Sequence, residues 1–86
     1  MKVRIPTPLY SYTGNRALVD ASGSTLEEVS RNLDRQFPGI RFRMIDEQDQ
    51  IRVHMKIFIS GIQAQSLTSP VAASDEIFII QALSGG

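Results

Sequence analysis

The sequence predicts an α+β roll, in which one amphipathic helix lies across one face of a small mixed sheet. Three observations carry that expectation. Apolar and polar residues alternate in separate stretches, with Val3 and Ile5, then Ile51 to Ile59, then Ile77 and Ile79 on one parity, the period of strands with a single buried face. Between the first two of these stretches, Leu26, Val29, Leu33 and Phe37 recur at helical spacing and share a narrow arc of the wheel. A chain of 86 residues has room for one domain with one modest core.

The elements follow in order. Lys2 and Arg4 flank Val3 in a short first strand, which Pro6 and Pro8 end by removing donors and fixing φ. Residues 10–15 read as a turn and residues 16–21 as a second strand, the two strands forming a hairpin across Thr13-Gly14-Asn15. Gly23-Ser24 closes that unit. Thr25 is placed to cap the free amides of the helix, and Glu28 three residues on completes a capping box. Glu27 and Arg31 pair at i,i+4 on the outer side, and Pro38-Gly39 ends the helix. Residues 40–50 form a charged connection with one short helical turn around residues 42–45. Ile51, Val53, Met55, Ile57 and Ile59 then mark a long strand over residues 51–60. Gly61 is the turn, residues 63–65 a short return strand, and Ser69-Pro70 a break. In the last strand, residues 76–80, Ile77 and Ile79 face inward, and its isoleucine content places it centrally, between the first and the long strand. The domain spans residues 1–80, and residues 81–86 are a flexible tail ending in Gly85-Gly86.

Composition excludes several functions. Nine basic residues balance nine acidic ones, so no overall field favours a polyanion, and Tyr10 and Tyr12 are not interleaved with arginines; a nucleic-acid partner is not expected. Cysteine is absent, which removes disulfides and thiol nucleophiles and points to a cytoplasmic location. Residues 1–6 lack the apolar run of a signal peptide, and no stretch approaches the roughly 20 apolar residues of a membrane span. With one histidine and no cysteine, the common zinc ligand sets cannot be assembled. Asp46, Glu47 and Asp49 match no calcium loop, so no metal site is expected. His54 has no triad partners, and no residue is expected to be catalytic. There is no glycine-rich phosphate loop.

What remains is a surface. On the long strand Arg52, His54, Lys56, Phe58 and Ser60 point away from the core, and on the last strand Phe78 and Ile80 do the same. Side by side these strands would present an apolar patch ringed by Arg4, Arg52, His54 and Lys56, and an exposed apolar patch with a polar rim marks a partner surface.

Val3-Arg-Ile-Pro-Thr-Pro-Leu9, Tyr12-Thr-Gly14, Gly23-Ser-Thr-Leu26, Phe37-Pro-Gly-Ile40, Ile57-Phe-Ile-Ser-Gly61, Ser74-Asp-Glu-Ile77 and Gly85-Gly86 together resemble the ubiquitin-like sulfur carriers of the MoaD/ThiS group over nearly the whole chain. The Ile-Pro-Thr and Tyr-Thr-Gly segments look most like the branch that delivers sulfur for thiocarboxylate-dependent cysteine synthesis. The resemblance implies a β-grasp fold and a protein co-substrate rather than an enzyme. It implies that a ubiquitin-activating-type adenylyltransferase/sulfurtransferase uses ATP to adenylate the Gly86 carboxylate, and that sulfur then displaces AMP to leave a thiocarboxylate. A sulfur-accepting biosynthetic enzyme, cysteine synthase-like or molybdopterin synthase large subunit-like, would receive the sulfur; cysteine is the favoured product, with molybdopterin and thiamine as other outlets. No cofactor would be bound by the carrier itself. Leu83, Ser84 and Gly85 would thread the partner's channel. Six extended residues reach up to about 20 Å, and glycine brings no Cβ to obstruct the narrow end. Other readings of the same chain are a ubiquitin-like modifier conjugated through Gly86 and a non-catalytic interaction domain. The chain departs from its relatives at Ser60-Gly61, where Asn-Gly is common, at Ala73-Ser74-Asp75-Glu76, where Asp-Gly-Asp-Glu is common, and at Gln81, near a frequent proline. The first two concern turn chemistry and are expected to leave the fold unchanged.

Overall fold

The computed structural model describes residues 1–82. Strands β1 (Lys2–Arg4), β2 (Leu18–Asp20), β3 (Met55–Ile59), β4 (Ile62–Gln63) and β5 (Glu76–Gln81) make one sheet in the order β2-β1-β5-β3-β4. Helices α1 (Leu26–Gln36) and α2 (Ile40–Met44) join β2 to β3. β5 runs parallel to β1 and antiparallel to β3, while β1–β2 and β3–β4 are antiparallel pairs. The apolar run Ile77-Phe-Ile-Ile80 thus lies in the central strand, bonded on both edges, as its composition predicts. This is the α+β roll, in the strand order of a β-grasp domain. Among the described residues no helix is long and apolar enough to cross a membrane.

The core forms where the alternating faces of the strands meet α1. Val3, Ile57, Ile77 and Ile79 from the sheet and Leu26, Val29, Leu33 and Phe37 from the helix are all buried in one cluster. Thr25 caps α1, its hydroxyl accepting from the Glu28 amide at 3.3 Å. The reciprocal half of the box differs from expectation: the Glu28 carboxylate accepts from the Ser24 amide at 2.9 Å and the Ser24 hydroxyl at 3.0 Å. Gly23 folds the chain so closely over the helix start that Ser24 faces that carboxylate. Glu27 and Arg31 pair at 3.3 Å as predicted, but Glu27 also bonds Arg41 at 2.7 Å. Arg41 reaches Ser30 Oγ at 3.0 Å and Asp49 at 3.2 Å as well, tying α2 and the following loop to α1. α2 itself starts earlier than the predicted turn because Ile40 and Met44, one helical turn apart, both insert into the core.

Three further segments depart from the predicted elements. Between β1 and β2 the chain forms a 3₁₀ helix over Thr7–Tyr12 that buries Leu9, where a simple turn is expected from residue 10. The buried Thr13 hydroxyl donates to the Arg16 carbonyl at 2.8 Å and accepts from the Arg16 amide at 3.2 Å, so Arg16 belongs to the turn and β2 begins at Leu18.

The long strand is also shorter than its alternation suggests. The Arg52 amide donates to the Met44 carbonyl at 2.9 Å, and the Arg52 carbonyl accepts from Met55 at 2.9 Å. These bonds pull residues 51–54 out of the sheet and leave Val53 92% exposed at the top of a turn.

The return strand occupies Ile62–Gln63 instead of residues 63–65. Ser60 and Gly61 have φ of 47° and 88°, the positive values at both central positions that a two-residue type I′ hairpin requires. A non-glycine residue at positive φ is uncommon. Here Ser60 is held from its side chain, donating to Asp75 at 2.7 Å and accepting from the Glu76 amide at 3.3 Å. Ser60, one of the departures, and Asp75 therefore form one hydrogen-bonded lash that starts β5 in register with β3.

Candidate docking face and tail root

A sheet covered by helices on one side leaves its other side bare. Strand register aligns the outward residues there in rows. Leu18, Arg4, Phe78, Phe58 and Gln63 are successive cross-strand partners from β2 to β4. Beside that row, toward the end of β5, Lys56 pairs with Ile80; on its other side Asp20, Lys2 and Glu76 line up. Phe58 and Phe78 face each other directly, a pairing that stabilises a sheet surface. Phe78 is 39% and Ile80 44% exposed, and both line an open apolar depression with Phe58, Ser60, Gly61 and Glu76. The Arg4 guanidinium lies 5.3 Å from the Phe78 ring centroid, where the ring quadrupole holds a cation at the rim.

Of the residues expected on this face, register brings together Phe58, Phe78, Ile80, Arg4 and Lys56. His54 and Arg52 are elsewhere. They lie in the turn before β3 and, with Phe42 and Arg43, line a separate groove. Arg52 stacks 4.6 Å from the Phe42 ring centroid and donates from Nε to the Phe42 carbonyl at 2.8 Å. The polar rim is therefore open at that corner, because the strand that would have carried it begins only at Met55. Leu18, 40% exposed, belongs to the face and was not anticipated; its parity opposite buried Val19 is the signal that places it there.

The tail leaves from the same end of β5. Gln81 still pairs with Met55, and the Ala82 amide donates to the His54 carbonyl at 2.7 Å. The expected threading and attachment residues Leu83, Ser84, Gly85 and Gly86 lie outside the described residues.

Of the perturbed ionisations only that of Asp75 borders the face, through its bond to Ser60. The Ala72 amide, with help from the Ser60 hydroxyl, holds the Asp75 carboxyl below the usual carboxylate range. The Ser24 amide and hydroxyl do the same for Glu28. Burial pushes the Arg41 guanidinium down, but its bonds to Glu27 and Asp49 together outweigh this and raise it. Among the described residues no three His, Cys, Asp or Glu side chains gather as metal ligands would. The face offers no activated nucleophile and no acid–base pair. It presents exposed aromatic and aliphatic area with a cation at the edge, adjoining the root of the tail.

A model of the ThiS family matches residues 3–86, which include every member of this face. The sulfur carrier protein CysO of Mycobacterium tuberculosis is 32% identical over 89 aligned positions, spanning 98% of this chain and 96% of that protein. The crystal structure of the BexX/CysO complex from Amycolatopsis orientalis contains a chain that superposes with a TM-score of 0.91 at 26% identity, covering 99% of this chain and 98% of that one. The crystal structure of Mycobacterium tuberculosis CysO gives a TM-score of 0.90 at 29% identity, covering 95% and 98%.

Proposed function

Because this chain belongs to the ThiS family, we propose that it is a cytoplasmic sulfur carrier, a protein co-substrate whose Gly86 carboxylate is activated and converted to a thiocarboxylate. The observation that carries this reading is the similarity to a sulfur carrier, CysO, over nearly the full length of both chains.

The chemistry follows from the poor reactivity of a carboxylate. An oxygen of the Gly86 carboxylate attacks the α-phosphorus of ATP in an adenylyltransferase of the ubiquitin-activating type, and pyrophosphate leaves. A sulfur nucleophile then attacks the carbonyl carbon of the mixed anhydride; the C–S bond forms, the C–O bond to the nucleotide breaks, and AMP departs. ATP is thus the partner's substrate and not a resident group of the carrier. Leu83, Ser84 and Gly85 carry the reactive end into the partner's channel. Phe58, Phe78, Ile80, Arg4 and Lys56 seat that partner, and later the sulfur-accepting enzyme, on the bare face of the sheet. Ile80 stands two residues before Ala82, so a protein seated on the face meets the tail at its origin. The similarity to CysO favours cysteine as the product; a molybdopterin or thiamine route would use the same tail. The BexX/CysO complex supports docking on a partner as the mode of action of a structurally similar protein.

The test is reconstitution with the cognate activating enzyme. Pyrophosphate release in proportion to the carrier, followed by replacement of one carboxyl oxygen by sulfur in the intact mass, is expected, and both are lost on deleting Gly86. Higher-mass conjugates to lysines in cell lysate would instead identify a modifier. Absence of both activation and conjugates would leave an interaction domain only.

A further inference from the structure

The corner between α2 and β3 carries a second exposed surface, separate from the apolar row. Phe42 is 55% and Val53 92% exposed, and between and beside them stand Arg43, Arg52 and His54, with Lys56 continuing on the outward side of β3. Arg52 is held in place before any partner arrives. Its backbone is bonded to Met44 and Met55, its Nε to the Phe42 carbonyl, and its guanidinium carbon lies over the Phe42 ring. Little side-chain entropy remains for it to lose on binding, and neither of its Nη atoms is engaged by a hydrogen bond to another described residue, which leaves them for a carboxylate.

Among the described residues, Arg43, Arg52 and Lys56 are also without an ion-pair partner. The ion pairs among the described residues engage Lys2, Arg31 and Arg41, and none involves Arg43, Arg52, His54 or Lys56. Nearby acids are turned elsewhere: Asp46 accepts from the Gln48 and Gln50 amides, and Asp49 bonds Arg41. Glu47 is exposed in the same loop and forms no ion pair with them. The chain as a whole is neutral, so the positive corner reflects segregation of charge, with Asp75, Glu76 and Asp20 at the opposite end of the central strands. The corner adjoins the tail, since the His54 carbonyl holds the Ala82 amide.

We propose that this corner is a second docking surface, which engages an acidic strip on the activating partner at the mouth of the channel that takes the tail. Two observations select that occupant over others. The cluster is small and set in a neutral chain, which suits a local acidic strip on a protein rather than a long polyanion, and its contact with the tail root places it against whatever protein receives the tail. Exposed Arg beside aromatic and aliphatic area is the composition of interface anchors. Charges in this position act on encounter rate and orientation more than on the chemical step. The inference rests on the proposed carrier function.

The test compares the wild-type chain with R43E/R52E in pyrophosphate exchange catalysed by the cognate activating enzyme, at low and high salt. The expected result is a KM for the carrier raised on the order of tenfold at low salt, a gap that narrows as salt screens the charges, and an unchanged kcat. A second variant, R43Q/H54Q, leaves the Arg52–Phe42 contact intact and is expected to shift KM in the same direction by less, so that a misfolded charge reversal does not decide the matter. KM values indistinguishable from wild type in folded variants, or a loss equal at all salt concentrations, would overturn the inference while leaving the carrier function standing. A wild-type chain that is never activated would overturn both. Binding to a single-stranded oligonucleotide that R43E/R52E abolishes, with activation unaffected, would reassign the corner to a polyanion.

Discussion

Replacing Phe78 by alanine separates the contribution of the bare face to binding from its contribution to folding. A phenylalanine has about 200 Å² to bury. With 39% of Phe78 exposed, about 80 Å² remains for a partner to cover, worth about 2 kcal/mol at about 25 cal/mol per Å². The translational and rotational cost of association is common to wild type and variant and cancels in the comparison, so F78A is expected to weaken binding by about 30-fold. The remaining covered area, packed against Phe58 and under Arg4, predicts a folding loss of about 2–3 kcal/mol. Calorimetric titration with the activating enzyme reads the first quantity and urea denaturation the second. Ile62→Ala is the control: Ile62 is 76% exposed but pairs with Ile59 on the other parity of β3, and its truncation is expected to leave binding unchanged. A folded F78A variant that binds as tightly as wild type, or an I62A variant that loses as much, would refute the assignment of the face.

Further outcomes follow from the helix start, the lash and the Arg41 cluster. A Cβ at Gly23 would lie 2.7 Å from the Val29 amide nitrogen and 2.8 Å from Glu28 Cβ, at a φ of 153°; because the helix backbone cannot swing aside, G23A is expected to cost about 2–4 kcal/mol in urea denaturation. Asp75 has its folded pKa depressed, so the stability it confers is complete above the ordinary carboxyl value of about 4 and disappears as pH falls through the lower folded value. D75N should therefore be less stable than wild type at neutral pH, with the difference shrinking on acidification below about pH 4 in melts across a pH series. R41A removes the bonds to the Ser30 hydroxyl and the Glu27 and Asp49 carboxylates at a site where the Arg41 side chain is only 15% exposed, but Glu27 keeps Arg31 and Ser30 keeps the Glu27 carbonyl, so a loss of about 1–2 kcal/mol is expected. Adding E27A to R41A should cost less than the sum of the single changes, as measured by a double-mutant cycle.

The helix and the central strand were legible in the sequence because their causes are local. Leu26, Val29, Leu33 and Phe37 share a face whatever lies opposite, Thr25 caps its own helix, and Ile77 and Ile79 need only strand parity. Phe58, Phe78, Ile80, Arg4 and Lys56 could be grouped for the same reason once the last strand was placed beside the first and third. Arg52 and His54 could not be placed, since alternation is blind to the bond from the Arg52 amide to the Met44 carbonyl. Leu18 was not grouped with them, although its parity opposite Val19 is legible, because its place beside Arg4 depends on the register of β2 with β1.

By itself, then, the sequence determined which residues are apolar on which face and where the helix begins; each of these is settled by neighbours within a few positions. Only the tertiary structure decided that the cations divide between a sheet face and a corner at the tail root, and that Ser60 and Asp75 lash two strands together. Those arrangements depend on hydrogen bonds between residues distant in the chain, whose geometry exists only after the core has closed.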